Sequence, residues 1–203
     1  MFSGNLIFFV GSPGDASNQF NVPFGIALHP TSGLLYIADF NNHRLMSYAP
    51  AATNGTKLLG GPGYSNTQLY YPQGIHLDLY SNSLIITSNS AHNVVKYLLS
   101  GTSWTLLAGS TNGSPGNTST TFSNPIDVIV DPMGNMYVIE RGNSRVQFFY
   151  AGQSVGSTIA GITGVIGSNA TTFDLPTSLC LDSQLNLYVS DSNNHRIQRF
   201  LRY

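Results

Sequence analysis

The sequence predicts an all-β fold assembled from a repeated four-stranded unit, and three observations carry that prediction. The chain is self-similar: Pro23, Pro72, Pro125 and Pro176 stand 49, 53 and 51 residues apart, each in the same local pattern. Within each period, short apolar runs alternate at period two, as strands with a buried face do. The composition is that of a turn-rich β protein, with 21 Gly and 10 Pro in 203 residues and only 8% charged residues.

Each unit opens on an apolar side chain three residues before its proline: Phe20, Leu69, Phe122 and Phe173. Three and five residues after the proline come Ile26/Leu28, Ile75/Leu77, Val128/Val130 and Leu179/Leu181, the buried face of a first strand. A turn containing Gly33, Asn82, Gly134-Asn135 or Asn186 follows, residues that suit hairpins. The second strand is expected over Leu34–Ala38, Leu84–Thr87, Met136–Ile139 and Leu187–Ser190. A polar tetrad comes next: Asn42-His43-Arg44-Leu45, Ala91-His92-Asn93-Val94, Asn143-Ser144-Arg145-Val146 and Asn194-His195-Arg196-Ile197. The third strand should run through Met46–Tyr48, Val95–Tyr97, Gln147–Phe149 and Gln198–Phe200. A fourth, over Lys57–Leu59, Thr105–Ala108 and Thr158–Ala160, ends at Gly60, Gly109 and Gly161. No window shows a capped 3.6-residue period, so no long helix is expected.

Four short antiparallel strands per unit, repeated at near-constant spacing, read as the blades of a β-propeller. A lone blade cannot bury both faces, which accounts for apolar residues on both sides of the inner strands. The chain reads as one domain over 1–203, with units at 20–60, 69–109, 122–161 and 173–200. The segment 5–11 matches a fourth strand and is expected as a displaced outer strand that joins the last blade to the first.

The residues resemble NHL repeats: Asp39 and Asp191 precede the Asn-His-Arg tetrads, and Pro23–Ile26 and Pro72–Ile75 carry the accompanying Pro-x-Gly-Ile stretch. The resemblance runs from Leu6 to Phe200; two units match closely and two are degenerate, because unit 2 lacks the Asn and Arg and unit 3 lacks the His. It implies a propeller usually of six blades, so four units leave two forms open: a closed four-bladed ring, or an arc of a larger one. It also implies that Asp39, Asn42, His43, Arg44, His92, Asn143, Arg145, Asp191, Asn194, His195 and Arg196 are structural repeat residues.

The charge balance, 8 Lys and Arg against 9 Asp and Glu, provides no basic face for nucleic acid, although some NHL propellers bind RNA. No stretch approaches the ~20 apolar residues that a membrane span requires, and Leu6–Val10 is too short and too uncharged for a secretory leader. One cysteine excludes an internal disulfide. Sequons at Asn54, Asn112, Asn117 and Asn169, all in expected loops, tip the setting towards the outside of the cell.

Equivalent stations on different blades are spread around an axis, so His43, His92 and His195 cannot converge on one metal ion; no metal and no cofactor are expected. Asp78, Asp131 and Asp182, with His29 in unit 1, should cap the first hairpins. His76 sits where the other units have Ala27, Ile129 and Cys180, which makes it either a core or a channel residue. Cys180 is expected to be buried and inert. No nucleophile motif occurs. The long loops 12–22, 61–71, 110–124 and 162–175 are the expected binding surface, with Tyr64, Tyr70, Tyr71, Asn112, Arg141 and His76 as candidate contacts. The expected function is a binding scaffold for a protein or glycan partner. The alternative that the resemblance implies is a metal-dependent enzyme of the amidating-lyase or lactonase-like type. An open ring would expose apolar faces and favour homo-oligomers.

Overall fold

A computed structural model describes residues 12–202. The displaced strand expected over 5–11 lies outside the described residues. Blade 1 comprises β1 (Pro23–Leu28), β2 (Leu35–Asp39), β3 (Arg44–Tyr48) and β4 (Thr56–Gly60). Blade 2 comprises β5 (Pro72–Asp78), β6 (Ser83–Ser88), β7 (Asn93–Leu98) and β8 (Trp104–Gly109). Blade 3 comprises β9 (Pro125–Val130), β10 (Met136–Glu140), β11 (Arg145–Phe149) and β12 (Ser157–Gly161). Blade 4 contains β13 (Pro176–Leu181), β14 (Leu187–Asp191) and β15 (Arg196–Phe200), in that order. Every sheet is an antiparallel meander, so the protein is an all-β propeller of four blades.

Each proline occupies the first position of an inner strand, where its missing N–H costs no ladder bond. The third strands start earlier than the alternation suggests, because Arg44 already pairs with Asp39 and Arg145 with Glu140. The tetrad is therefore half turn and half strand: its second residue takes φ of 52, 54, 51 and 53° at His43, His92, Ser144 and His195, and the strand begins at the next residue.

Packing between sheets makes the core. Tyr36 and Leu45 of blade 1 meet Leu84, Ile86 and Val95 of blade 2. Ile85 and Val94 of blade 2 meet Val128, Val138 and Phe149 of blade 3. Tyr137, Ile139 and Val146 of blade 3 meet Leu179, Leu187 and Val189 of blade 4. The middle strands are thus buried on both faces, which is why β6 and β10 are buried at every residue. The inner strands approach closely: a Cβ on Gly74 would lie 2.7 Å from the Cα of Asp127.

The inner strands pack in the order β1, β5, β9, β13, and no comparable packing joins β13 back to β1 among the described residues. The blades form an open arc. Ile26 and Leu28 at one end, and Ile197 at the other, are consequently exposed. Cys180 is exposed as well, contrary to its expected burial, because it shares the uncovered face of blade 4.

Candidate functional site

The turns between second and third strands and the lead-ins to the first strands lie at one end of the sheets. Backbone bonds join them within every blade: Asn41 N–H to Asn21 O, Asn89 to Tyr71, Arg141 to Asn124 and Asn193 to Asp174, at 2.9–3.1 Å. The repeat motif builds this end. Asp39 accepts the Asn21 N–H (2.8 Å), the Asn42 amide (2.7 Å) and the Arg44 Nε (2.6 Å). Arg44 in turn donates to the carbonyls of Asp15, Ala16 and Gln19, fastening the preceding loop to the sheet. Glu140, Asn143 and Arg145 repeat the arrangement in blade 3, as do Asp191, Asn194 and Arg196 in blade 4. All three acids are fully buried, as a carboxylate can be only when it is paired and hydrogen-bonded. Burial opposes the ionisation of Asp191, but the bonds from the Asp174 N–H, Asn194, Arg196 and Gln198 outweigh it and hold its pKa below the usual value. Glu140 pairs with Arg145, not with its neighbour Arg141, which is exposed on the turn.

The histidines bridge blades. His43 Nδ1 accepts the N–H of Tyr71 at 3.1 Å, and His92 Nδ1 accepts that of Asn124 at 3.0 Å. Each donating residue immediately precedes the next inner strand's proline and has a positive φ, so the imidazole holds the chain where it enters the neighbouring sheet. Burial lowers the pKa of both rings, keeping Nδ1 free to accept. The ring of His195 is exposed at the end of the arc.

Between blades 1 and 2 this end carries a continuous group of aromatic rings. Phe24 and Phe40 are 5.0 Å apart, Phe40 and Tyr71 4.7 Å, His43 and Tyr71 4.2 Å, and His43 and Tyr70 5.2 Å. Tyr64 closes the row edge-on to Tyr70 at 5.8 Å. Edge-to-face and offset packing is the arrangement that ring quadrupoles favour. Phe24 and Tyr64, at the two ends, are 50% and 42% exposed. Tyr64 lies against Gly113, where a Cβ would come within 2.4 Å of the ring, so the loop after β8 supports it. A stripe of neutral amides flanks the rings: Asn41 donates to Asn21, Asn89 to Gln73 and Asn124 to Asn89.

Of the expected contact residues, Tyr64, Tyr70 and Tyr71 come together, and Asn112 adjoins them through Gly113. The Asn112 carbonyl is occupied within its own loop by the Ser110 hydroxyl and the Ser114 N–H. Arg141 shares the same end of the arc, one blade further on. His76 does not belong to the group: it pairs with Ile85 on β6 and so faces the junction between blades 2 and 3. Burial lowers its pKa against the opposing charge of Asp78. Phe24, Phe40 and His43 join the aromatic row without having been singled out for it. Phe24 and Phe40 sit beside Pro23 and Asp39, the repeat landmarks at this end, and that adjacency was the available signal.

At the opposite end of the sheets, His29, Asp78, Asp131 and Asp182 accept hairpin N–H groups two to four residues on. There a cleft of about 350 Å³ opens between blades 2 and 3, lined by Asp78, Ile85, Lys96, Met136 and Tyr150 among others. Among the described residues no three His, Cys, Asp or Glu side chains group as metal ligands, and no helix is long and apolar enough to cross a membrane.

Residues 20–45 and 173–200 match the family model described as NHL repeat. No curated protein matches the sequence. Among solved structures, an auxiliary nutrient binding protein from Bacteroides thetaiotaomicron superposes with a TM-score of 0.70 at 17% identity, over 87% of this chain and 47% of that one. A gluconolactonase from Xanthomonas campestris gives 0.70 at 16% identity, over 93% and 60%. A virginiamycin B lyase from Staphylococcus aureus gives 0.61 at 16%, over 89% and 52%. The chain spans about half the length of these structures, and identities this low establish the fold alone. The buried Asp/Glu–Arg clamps, the bridging histidines and the two matched segments agree: the chain is a β-propeller that carries NHL repeats at residues 20–45 and 173–200.

Proposed function

We propose that the chain is a binding module, and that the aromatic end between blades 1 and 2 receives a neutral protein or glycan partner. The observation that carries this reading is the row from Phe24 to Tyr64, half exposed at both ends and bordered by amides rather than charges. Aromatic rings offer large contact area at low entropic cost, and amides supply adaptable hydrogen bonds. Loops at one end of a rigid sheet stack are the usual place for such a surface. Likeness in fold to an auxiliary nutrient binding protein supports the same class of function.

The test is binding to immobilised panels of neutral oligosaccharides and of uncharged peptides, for the native chain and for Tyr64→Ala/Tyr70→Ala. Saturable binding to one panel, weakened at least about tenfold by the double substitution, is the expected result for a hot spot worth more than ~1.4 kcal/mol. Equal binding by both proteins would sink the site.

A second reading, a metal-dependent lactonase-like or lyase-like enzyme, draws on the fold likeness to the gluconolactonase and the lyase. Lactone hydrolysis that requires an added divalent cation and is lost in His76→Ala would favour it over the binding module.

A further inference from the structure

We propose that the cleft between blades 2 and 3 binds the phenolic ring of a small molecule, whose hydroxyl donates to Asp78. The argument begins at one station of the second strand. Tyr36, Tyr137 and Tyr188 occupy it in blades 1, 3 and 4, paired with Ala27, Ile129 and Cys180. In blade 2 the residue at that station, paired with His76, is Ile85. Where the next blade covers a tyrosine, its ring fills the junction: Tyr36 packs among Leu84 and Ile86, Tyr137 against Leu179, and they are 3% and 7% exposed. Ile85 is shorter by most of a ring, and the cleft of about 350 Å³ opens beside it. That volume lies in the range of small-molecule sites. Leu106, Val130, Met136 and Phe149 complete an apolar wall.

The polar groups match the same occupant. In blades 3 and 4 the tyrosine hydroxyl donates to the hairpin acid of its own sheet, Tyr137 to Asp131 at 3.4 Å and Tyr188 to Asp182 at 3.2 Å. Asp78 is the equivalent acid of blade 2; it lines the cleft, and Ile85 offers it no hydroxyl. Oδ2 of Asp131 and of Asp182 each takes an asparagine amide and a tyrosine hydroxyl. Oδ2 of Asp78 takes the Ser81 hydroxyl alone, which leaves an acceptor position for a ligand. Burial opposes the ionisation of Asp78, but Ser81 and the N–H groups of Ser81 and Tyr80 outweigh it, so a carboxylate is presented. Across the strand from Tyr137 stands Phe148, with ring centres 5.1 Å apart. Across from Ile85 stands Lys96, which also lines the cleft and has no hydrogen bond or ion pair among the described residues. An ammonium beside a ring is attractive, so the cleft favours an aromatic body over an aliphatic one.

The test is an NMR titration of the full chain with 4-methylphenol. Saturable binding is expected. 4-Methylanisole, which keeps the ring and lacks the donor, should bind at least about tenfold more weakly, the share of a hydrogen bond to a charged acceptor. 4-Methylcyclohexanol, which keeps the donor and lacks the ring, should bind about threefold more weakly or worse. Ile85→Tyr should abolish binding and raise the thermal midpoint, because it restores to blade 2 the ring and the hydroxyl that blade 3 already has. Asp78→Asn should weaken binding about tenfold while circular dichroism stays unchanged, since an asparagine accepts the same hairpin N–H groups; it decides the matter if Ile85→Tyr fails to fold. A native chain that does not bind 4-methylphenol overturns the proposal. Equal affinity for any of the three probes, or binding that survives either substitution undiminished, overturns it as well. N-acetyltyrosinamide binding more tightly than 4-methylphenol overturns the small-molecule ligand in favour of a partner's tyrosine.

Discussion

Blade 2 and the other three blades solve one problem with different residues. The carbonyl four residues before each inner-strand proline must be held as the loop crosses from one sheet to the next. In blades 1, 3 and 4 an arginine holds it: Arg44 takes Gln19 O, Arg145 takes Thr121 O and Arg196 takes Thr172 O. Blade 2 has Ser88 and Asn93 where its neighbours have the acid and the arginine. The equivalent carbonyl, Gln68 O, is taken instead by the indole N–H of Trp104, at 2.6 Å. The chain's one tryptophan thus replaces an ion pair with a neutral bond and a buried ring. The substitution is incomplete, because Asn93 Oδ1 is left buried without a partner. The comparison separates what the repeat requires, a donor at that carbonyl, from what it merely favours, a charge.

The largest effect should come from breaking the charged version. Arg145→Ala strands the fully buried Glu140 and releases the carbonyls of Asn117, Thr118 and Thr121. Removing one partner of a buried pair costs about 3–5 kcal/mol, which urea unfolding will read. A loss below about 1 kcal/mol would mean that the pair is no stronger than a surface one.

Next in size is the neutral version. Trp104→Phe keeps most of the ring and removes only the N–H, leaving Gln68 O unsatisfied at about 1–3 kcal/mol. Adding Ser88→Asp and Asn93→Arg to that variant should recover most of the loss by the same measurement, since the new guanidinium faces the same carbonyl. If the triple variant is no more stable than Trp104→Phe, the two solutions are not equivalent.

The repeat made much of this legible beforehand. Period-two runs after each proline place the inner strands, because a sheet buried on both faces tolerates few polar residues at Ile75, Val128 or Leu179. The tetrads mark Asp39, Arg44, Asp191 and Arg196 as structural, but not that each arginine pairs with the acid five residues before it, nor that Glu140 pairs with Arg145 in blade 3. The aromatic row was half legible: Tyr64, Tyr70 and Tyr71 stood out as loop residues, whereas nothing marked Phe24 and Phe40, because their exposure depends on how one blade sits against the next. Trp104 as a donor was invisible, because its partner lies 36 residues away on the loop of the same blade. Cys180 went the other way. Its sequence context reads as core, and only the uncovered end of the arc exposes it.

The smallest expected effect separates junctions by acidity. Imidazoles bridge blades 1 to 2 and 2 to 3, whereas blade 3 carries Ser144 at the station that faces blade 4. Burial depresses the pKa of His43 and His92 below 6.5. The unfolded chain therefore binds more protons than the folded one over that interval, and stability rises with pH across it. Their contribution is complete above pH 6.5 and is lost as pH falls through the folded values, where a protonated Nδ1 donates and repels the Tyr71 and Asn124 N–H groups. His76 is depressed in the same direction, so the native chain should lose thermal midpoint on acidification below pH 6.5, and His43→Gln/His92→Gln should lose measurably less. Amide resonances sharpen the test. Tyr71 and Asn124 should shift with the titration while Leu175 stays fixed; equal movement of all three would place the pH dependence elsewhere than in the bridging imidazoles.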